Sequence, residues 1–409
     1  MQAPLSTAAE AARFLHDRLP PGGLFAGEDW RISPEPFVLG PLLARELESL
    51  GRVLVQFYRA VNLLYRQSVA GKQPPWVADW LDRGKPRELI ELQREPAFKN
   101  EIPRVLRPDL WVTDAGLAVT ELDSVPGGIG LTAWLNQVYD ELLAVRGSRS
   151  KPDDAPGFGQ SSHLAPPASH LLGGARGMLD GFAGIFGDAR CVHVVVSEEA
   201  ATYRPEMDWL CGQLGSSRFQ VQGSTFEGFS AGEAVYRFFE LFDLAHVPNA
   251  GTVFALARDK RIRLTPPPKP VFEEKMLFAL LWNRNLRGFW RQELGEAFFS
   301  RLLKLVPYSW IIDPTPLPPN AAIPELGLTD WHQLKGLSQR ERELILKVSG
   351  FSEHAWGARG VFLGSDLSSA DWSAAVDKAI GSAATSPFIL QRYLKPRLVE
   401  SQYFDFERN

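Results

Sequence analysis

Cysteine is scarce in this chain, which has Cys191 and Cys211 as its two cysteines among 409 residues. Two thiols build neither a disulfide framework nor a cysteine-rich zinc site, so we expect both to be reduced. The seven histidines show no spacing typical of metal ligands. His193 lies in an apolar run, where a hydrogen-bonded core histidine is the more common outcome. The sequence alone therefore gives no indication of a zinc protein.

A surplus of charge of one sign and a long hydrophobic run are also missing. Lysine and arginine number 44 and aspartate and glutamate 48, so the net charge is −4. The chain thus has no overall basic field that would draw it to nucleic acid or anionic lipid. No apolar run approaches membrane-spanning length, and Glu10, Arg13 and Asp17 interrupt the N-terminal segment. We expect a cytoplasmic protein that binds neither nucleic acid nor a membrane.

Apolar periodicity and composition indicate how the first part of the chain is organised. Residues 1–100 have a helical pattern, clearest over residues 37–65. Residues 101–146 contain an acidic hairpin followed by a helix near residues 131–145. Residues 147–170 are polar and rich in Pro, Gly and Ser, which predicts a flexible loop or linker.

The remainder of the chain alternates helices and strands. Over residues 171–268 we expect helices at 171–186 and 205–214 and strands at 191–197, 219–222 and 234–239. Over residues 269–409 we expect a long helix at 273–305, strands at 344–348, 360–363 and 388–394, and a helix at 370–380. Strands alternating with helices imply a mainly parallel sheet, so the expected fold class is α/β with an α+β part.

The strongest local signal is a β-hairpin. Two runs rich in apolar and β-branched residues, 110–113 and 117–122, flank a turn signal at 114–116. A three-residue loop places Thr113 opposite Leu117. A two-residue loop would instead shift the register by one residue.

The three-residue loop brings four charged side chains to one face of this hairpin. Asp109 then lies opposite Glu121, and Arg107 lies opposite Asp123. Three carboxylates repel one another, and one arginine does not neutralise them. A hard divalent cation would, so the arrangement suits Mg²⁺ that bridges to phosphates. A solvated polar face is the alternative.

Three weaker signals are compatible with nucleotide binding. Lys347 ends a strand and precedes a Gly-containing loop, whose backbone N–H groups can close over phosphates. The loop has no Walker A motif, and a plain hairpin loop is the alternative. Lys275 lies early in an apolar helix, where a surface lysine is also common. The strand at 388–394 can present backbone groups to an adenine or be merely a strand. We expect both lysines to be solvated, so that removing them changes stability little. No Gly-x-Ser-x-Gly elbow supports a hydrolase of that type.

Taken in order along the chain, these segments resemble the circularly permuted ATP-grasp ligases, such as glutathionylspermidine synthase and, more distantly, eukaryotic glutathione synthetase. Arg107-Pro108-Asp109 looks like the family's Arg-x-Asp strand. Glu121-Leu122-Asp123, followed by Gly127-Gly128, looks like its Glu-x-Asn motif and Gly-rich turn.

The later motifs also look like those of the family. Lys275 followed by Leu281-Trp282 is similar to its Lys-containing helix start, and Leu346-Lys347 to its strand that ends in lysine. Residues 389–393 look like its adenine-hinge strand. The order, with metal ligands before nucleotide lysines, is the specific part of the resemblance, which covers roughly residues 100–145 and 190–400.

The resemblance implies an ATP-grasp fold in circularly permuted order. Residues 1–100 would form a helical region, 101–146 the part with the metal-binding hairpin, 171–268 a region like the domain that precedes the ATP-grasp fold, and 269–409 the nucleotide-binding part. The implied activity is ATP- and Mg²⁺-dependent joining of a small-molecule carboxylate and an amine through an acyl phosphate. By resemblance, Arg107 would be catalytic, Mg²⁺ would be held by Asp109, Glu121, Asp123 and Glu353, and ATP would be held by Lys275, Lys347, Gly357, Gly360, Gln391, Arg392, Tyr393 and Leu394.

Two features depart from the family pattern. Asp123 stands where the family usually has asparagine, which adds a negative charge. The sequence also ends soon after the hinge strand, whereas family members usually continue with further strands; we expect either a shortened chain or a minimal site. The alternative function is therefore a nucleotide-binding protein that has lost turnover and serves as a binding or assembly partner. An unrelated α/β protein is the third reading, and it predicts no ATP binding.

Overall fold

The computed structural model describes residues 7–26, 30–147, 171–355 and 359–406. The predicted flexible loop lies outside these ranges from residue 148 to residue 170. In the described residues the α-helices are α1 Ala8–His16, α2 Pro41–Val69, α3 Trp76–Asp82, α4 Arg87–Arg94, α5 Ile129–Gly147, α6 Gly177–Gly184, α7 Arg204–Leu214, α8 Ala250–Arg258, α9 Met276–Trp282, α10 Arg287–Leu305 and α11 Ser369–Gly381. The strands are β1 Arg107–Thr113, β2 Gly116–Asp123, β3 Val192–Val196, β4 Phe219–Gly223, β5 Ala234–Phe238, β6 Arg263–Thr265, β7 Ser309–Ile311, β8 Leu344–Val348, β9 Val361–Leu363 and β10 Phe388–Arg392.

A four-stranded parallel sheet with the order β4-β3-β5-β6 confirms the predicted parallel arrangement. Its central strand β3 is Val-His-Val-Val-Val and is buried at every position, as expected for a strand covered on both faces. Helices α6 and α7 pack on one face, where Val194 and Tyr236 contribute to the core. Helix α8 packs on the other face, against Val195 and Val235.

A second four-stranded sheet, of order β7-β10-β8-β9, is antiparallel throughout. Helix α11 covers one of its faces, and Trp372 of that helix is fully buried against Leu346 and Leu390. The opposite face contributes Ile389 to the largest core. This core also contains parts of α2, α3, α9, α10 and the hairpin, so it joins the N-terminal helices to the C-terminal part of the chain.

The long helix expected over residues 273–305 is wrong, because the chain forms two helices there. Helix α9 ends at Trp282, and the side chain of Asn283 accepts a hydrogen bond from the backbone N–H of Asn285 at 3.0 Å. Helix α10 then begins at Arg287 and is kinked at Gly295, whose φ is 72°. An asparagine cap and a glycine with positive φ both interrupt a helix that the apolar pattern alone predicts as continuous.

Among the described residues, no helix combines the length and the apolar character needed to cross a membrane.

A buried lysine joins the N-terminal helices to the chain that follows the parallel sheet. Lys269 is 1% exposed and donates hydrogen bonds to the Asn62 side chain of α2 and to the backbone oxygens of Phe98 and Glu101. Burial lowers the pKa of Lys269 from its ordinary value of 10.5 to about 7, with a further decrease from the charge of Arg66. At a pH between these two pKa values, Lys269 therefore keeps its proton in the unfolded chain and has lost it in the folded chain.

The free energy of unfolding should therefore rise with pH from about pH 7 towards 10, because ∂ΔG/∂pH is positive where the unfolded state binds more protons. Lys269→Met removes this titration, so the variant should have a shallower pH dependence. Urea denaturation between pH 7 and 9 measures the slope, with exposed Lys304→Met as the control. Equal slopes in wild type and Lys269→Met would contradict the lowered pKa of Lys269.

Candidate functional site

A β-bulge gives the hairpin its register. The expected three-residue loop is wrong: two residues, Asp114 and Ala115, join the strands, and Gly116 pairs with Thr113. Without correction this turn would shift the whole ladder by one residue. A bulge leaves Thr120 unpaired and restores the predicted pairs at the far end.

The restored pairs are Asp109 with Glu121 and Arg107 with Asp123, so the predicted register at the charged end is confirmed. The Arg107 guanidinium lies between two of the acids. Its Nε is 3.0 Å from Oδ1 of Asp109, and one Nη is 3.3 Å from Oδ2 of Asp123. The other Nη donates to the backbone oxygen of Gly127 at 3.1 Å. Arg107 thus fixes the hairpin to the Gly-rich turn that follows it.

Lys275 neutralises the third acid of the hairpin. Its Nζ is 2.8 Å from Oε1 of Glu121 and also donates to the backbone oxygen of Ala355 at 2.8 Å. The backbone N–H of Lys275 donates to the oxygen of Ser349 at 2.7 Å. Lys275 is 10% exposed at its side chain, so it is held in place rather than solvated.

These residues line a cleft of about 360 Å³ between the hairpin and the parallel sheet. Its opposite wall is formed where β3 and β5 end, by Ser197, Glu199 and Ala200 and by Phe238, Phe239 and Glu240. In the sheet order, β4 lies on one side of β3 and β5 on the other. The cleft therefore lies outside the carboxyl ends of two parallel strands at the point where the strand order reverses, which is the usual ligand-binding place in such sheets.

Sequence reasoning missed the carboxylates of this opposite wall. Glu240 lies two residues after the end of β5, and Glu273 pairs with fully buried Arg237 at 2.6 Å. The other Glu273 oxygen accepts from the backbone N–H of Leu241 at 3.0 Å. An acid close after the end of a buried strand is a signal that the sequence does contain. The sheet order that makes it relevant cannot be read from the sequence.

The cleft is lined by more acidic than basic side chains, and burial disfavours their charged forms. Its described lining contains seven carboxylates against two basic side chains, Arg107 and Lys275. Desolvation raises the pKa of Asp123 to about 6; Arg107 and a hydrogen bond from the backbone N–H of Val125 oppose this increase. Desolvation also raises the pKa of Glu240 well above its usual range, helped by the charge of Glu273. Such a site favours a bound cation.

Lys347 does not reach the cleft, and the expectation that it is solvated is wrong. It is 5% exposed because the hairpin lies over it. Its Nζ donates to the backbone oxygen of Thr120, the bulge residue, and to the Gln391 side chain, each at 2.9 Å. The Gln391 amide in turn donates to Ser309 at 3.1 Å. Desolvation lowers the pKa of Lys347 to about 8.

The lining of the cleft also lacks the remaining described residues of the expected nucleotide site, which are Gly360, Gln391, Arg392, Tyr393 and Leu394. Arg392 donates to the backbone oxygen of Glu325 at 3.4 Å, and the Tyr393 ring packs edge-on against Trp111, with centroids 5.3 Å apart. Leu394, which follows Tyr393, is half-buried.

The loop after β8 contributes Ala355 and Phe351 to the cleft. Glu353 has a 71% exposed side chain and does not line it, so the structure does not place Glu353 with the other predicted metal ligands. Gly357 lies outside the described residues. A Cβ at Gly360 would be 2.5 Å from the backbone oxygen of His354, so this glycine allows a close approach of the loop to the chain.

The Gly-rich turn after the hairpin is occupied by a carboxylate of the protein itself. Buried Glu206 of α7 accepts hydrogen bonds from the backbone N–H groups of Gly128 at 2.6 Å and Leu131 at 3.0 Å. It thereby caps the N-terminus of α5. A Cβ at Gly127 would be 2.1 Å from the Tyr203 ring, so close packing requires glycine there.

Comparisons with known proteins give matches among solved structures only. No family model matches the sequence, and no curated protein matches it. A solved structure described as a glutathione synthetase-like effector from Globodera pallida, in apo form, aligns over 98% of this chain and 84% of its own. The TM-score is 0.47 and the sequence identity 14%. Similarity at this level establishes neither a common fold nor an activity.

Because Lys347 is buried, its removal should destabilise the fold. Lys347→Ala leaves the Thr120 oxygen and the Gln391 side chain without their donor, which should cost about 1–3 kcal/mol of the free energy of unfolding. Exposed Lys395→Ala is the matched control and should change stability little. Chemical denaturation measures both. Equal stability of the two variants would show that Lys347 is solvated in solution.

Proposed function

We propose that this protein is an ATP- and Mg²⁺-dependent ligase that joins a carboxylate to an amine through an acyl phosphate. One observation supports this more than any other. Arg107, Asp109, Glu121, Asp123 and Lys275, five residues of the expected site, line a single cleft at the strand-order reversal of a parallel sheet. Sequence motifs separated by about 150 residues in the chain thus meet in one place.

The donor set fits Mg²⁺. Asp109, Glu121 and Asp123 offer carboxylate oxygens, which are the ligands that this ion prefers, and the described lining of the cleft contains no soft ligand. In the described residues these oxygens contact Arg107 and Lys275 and do not form a converging three-ligand cluster, so binding of the ion would require the two basic side chains to release them. The raised pKa of Asp123 indicates that the surrounding residues leave negative charge incompletely compensated there. Bound Mg²⁺ would supply that compensation and would neutralise phosphate oxygens.

The two basic residues would orient the reacting groups. The planar fork of Arg107 suits either a phosphoryl group or the substrate carboxylate, and Lys275 adds a point charge beside it. Transfer of the γ-phosphoryl group to the carboxylate breaks the bond to ADP and forms an acyl phosphate. Attack by the amine then forms the amide and releases phosphate.

Glu240 and Glu273 on the opposite wall would hold the amine. A protonated amine is attracted to carboxylates and must lose its proton before it attacks. The raised pKa of Glu240 makes this side chain a suitable acceptor for that proton. The cleft would then have a phosphoryl half at the hairpin and an amine half at the strand ends.

A second candidate function is a nucleotide-binding protein without turnover, which acts as a binding or assembly partner. The observation that favours it is the position of Lys347 and Gln391. These residues bond to each other beneath the hairpin instead of opening towards the cleft. Adenine binding next to them would require the hairpin to move. Such a movement would change the surface that a nucleotide-binding protein presents to its partner.

Nucleotide affinity should depend on Mg²⁺ because bare phosphates would meet like charge at the hairpin. Glu121→Gln should weaken Mg²⁺-dependent ADP binding on the order of tenfold or more. Calorimetric titration with and without Mg²⁺ measures this. Glu199→Gln, on the cleft wall opposite the hairpin, is the control and should bind like wild type. Wild-type affinity in Glu121→Gln would remove the proposed metal site.

An acyl phosphate is trapped by hydroxylamine as a hydroxamate when no amine is present. The wild-type protein should therefore form hydroxamate and ADP with the correct acid. Arg107→Lys keeps the charge but loses the fork, so the rate should fall roughly 10- to 100-fold while ADP affinity changes less. Screening a panel of carboxylic acids, including amino acids and peptides, measures this. Nucleotide binding without ADP formation for any acid would support the second candidate.

A further inference from the structure

Three potential metal ligands meet where the parallel strands begin, at the end of the sheet opposite the cleft. Cys191 directly precedes β3, and His193 is the second residue of that strand. Glu233 directly precedes β5, which pairs in parallel with β3. The parallel pairing brings the starts of the two strands together although they are 40 residues apart in the chain.

The ligand atoms converge on one point. Sγ of Cys191 lies 3.5 Å from Nε2 of His193, and Oε2 of Glu233 lies 3.1 Å from the same nitrogen. All three ligand atoms lie within 4.8 Å of one another. Tetrahedral Zn²⁺ with its ordinary bond lengths separates a sulfur from a nitrogen ligand by roughly 3.5 Å and a nitrogen from an oxygen ligand by roughly 3.3 Å. The observed spacings are therefore close to those of an assembled site.

The residues around these ligands hold them in place. His193 is 3% exposed, and the rings of Phe226 and Phe229 pack against its imidazole. Its other ring nitrogen, Nδ1, is 3.3 Å from Nε2 of the Gln222 side-chain amide. A half-turn of this amide would present its oxygen to Nδ1–H, where a metal-bound imidazole carries its proton. Glu233 is fixed by a hydrogen bond of 2.6 Å from the backbone N–H of Ser230. The carboxylate thus has an outer hydrogen bond of the kind that orients metal ligands.

We propose that Cys191, His193 and Glu233 bind one Zn²⁺ or a chemically similar transition-metal ion, with a fourth position open to water. A thiolate, an imidazole and a carboxylate together match the borderline-soft character of such ions and not that of Mg²⁺. The thiolate and the carboxylate also balance its charge of +2. The site joins the starts of β3 and β5 and therefore stabilises the sheet.

The same three residues do not form a nucleophilic triad. In a triad, the thiol and the acid contact different nitrogens of the histidine, so that the acid orients the ring for proton transfer. Here the Cys191 sulfur and the Glu233 oxygen both contact Nε2. Convergence on a single ring nitrogen is the arrangement of ligands around an ion. The site is also separate from the proposed ligase chemistry, because Ser197 in the cleft lies about 13 Å along the strand from His193.

Cobalt provides a direct test in the full-length protein. The protein is stripped of metal with a chelator and titrated with Co²⁺, which gives a near-ultraviolet charge-transfer band when it binds a thiolate. One equivalent should produce this band. Cys191→Ser should abolish the band. Cys211→Ala should retain it, because Cys211 is a residue of α7 that is buried in the core on one face of the sheet. No band in wild type, or a band that persists in Cys191→Ser, would overturn the proposal.

Two further measurements test the role of Glu233 and the stabilising effect of the bound ion. Glu233→Gln should weaken Co²⁺ affinity by about tenfold or more, since it removes one charged ligand. Adding Zn²⁺ should raise the melting temperature of wild type and of Cys211→Ala but not of Cys191→Ser, because an ion that binds only the folded state stabilises it. Unchanged affinity in Glu233→Gln, or an equal Zn²⁺ effect in Cys191→Ser, would reduce the cluster to a hydrogen-bonded histidine and carboxylate beside a free thiol.

Discussion

The β-bulge at Thr120 is the feature on which the arrangement of the cleft depends. The two-residue turn alone would displace every later pair of the ladder by one residue and turn the acidic side chains to the other face. The bulge reverses this shift, so that Glu121 lies opposite Asp109 in the ladder, Arg107 pairs with Asp109, and Glu121 pairs with Lys275. It also directs the backbone oxygen of Thr120 to Lys347, and thereby joins the hairpin to the antiparallel sheet.

The charged residues of the cleft then show how the protein compensates burial. Each of the three acids at the charged end of the hairpin has a basic partner, yet Arg107 serves two of them. The pKa of Asp123 is raised although Arg107 opposes the increase, because desolvation is the larger effect. On the opposite wall Arg237 is occupied by Glu273 and by backbone oxygens, so Glu240 remains insufficiently compensated. A cationic ligand would offset the negative charge on both walls, which is the basis of our proposal that Mg²⁺ binds at the first wall and an amine at the second.

The sequence predicts local elements and the charged hairpin well, since these depend on alternation and turn residues within a few positions. It does not predict features set by contacts between distant segments. The solvation of Lys347 is one example, because burial there comes from a hairpin more than 200 residues earlier. The Cys191, His193 and Glu233 cluster is another, since only the pairing of β3 with β5 brings Glu233 to the other two. Glu240 likewise gains its importance from the sheet order, which periodicity does not reveal.

The central claim is that the hairpin acids hold the metal of a bound nucleotide. A crystal structure with ADP and Mn²⁺ tests it most directly, because Mn²⁺ replaces Mg²⁺ at oxygen sites and its anomalous scattering locates it independently of the nucleotide. We expect the anomalous peak among Asp109, Glu121 and Asp123, with the ADP phosphates extending towards Lys275. A peak elsewhere in the molecule, or ADP bound away from the hairpin, would contradict the account.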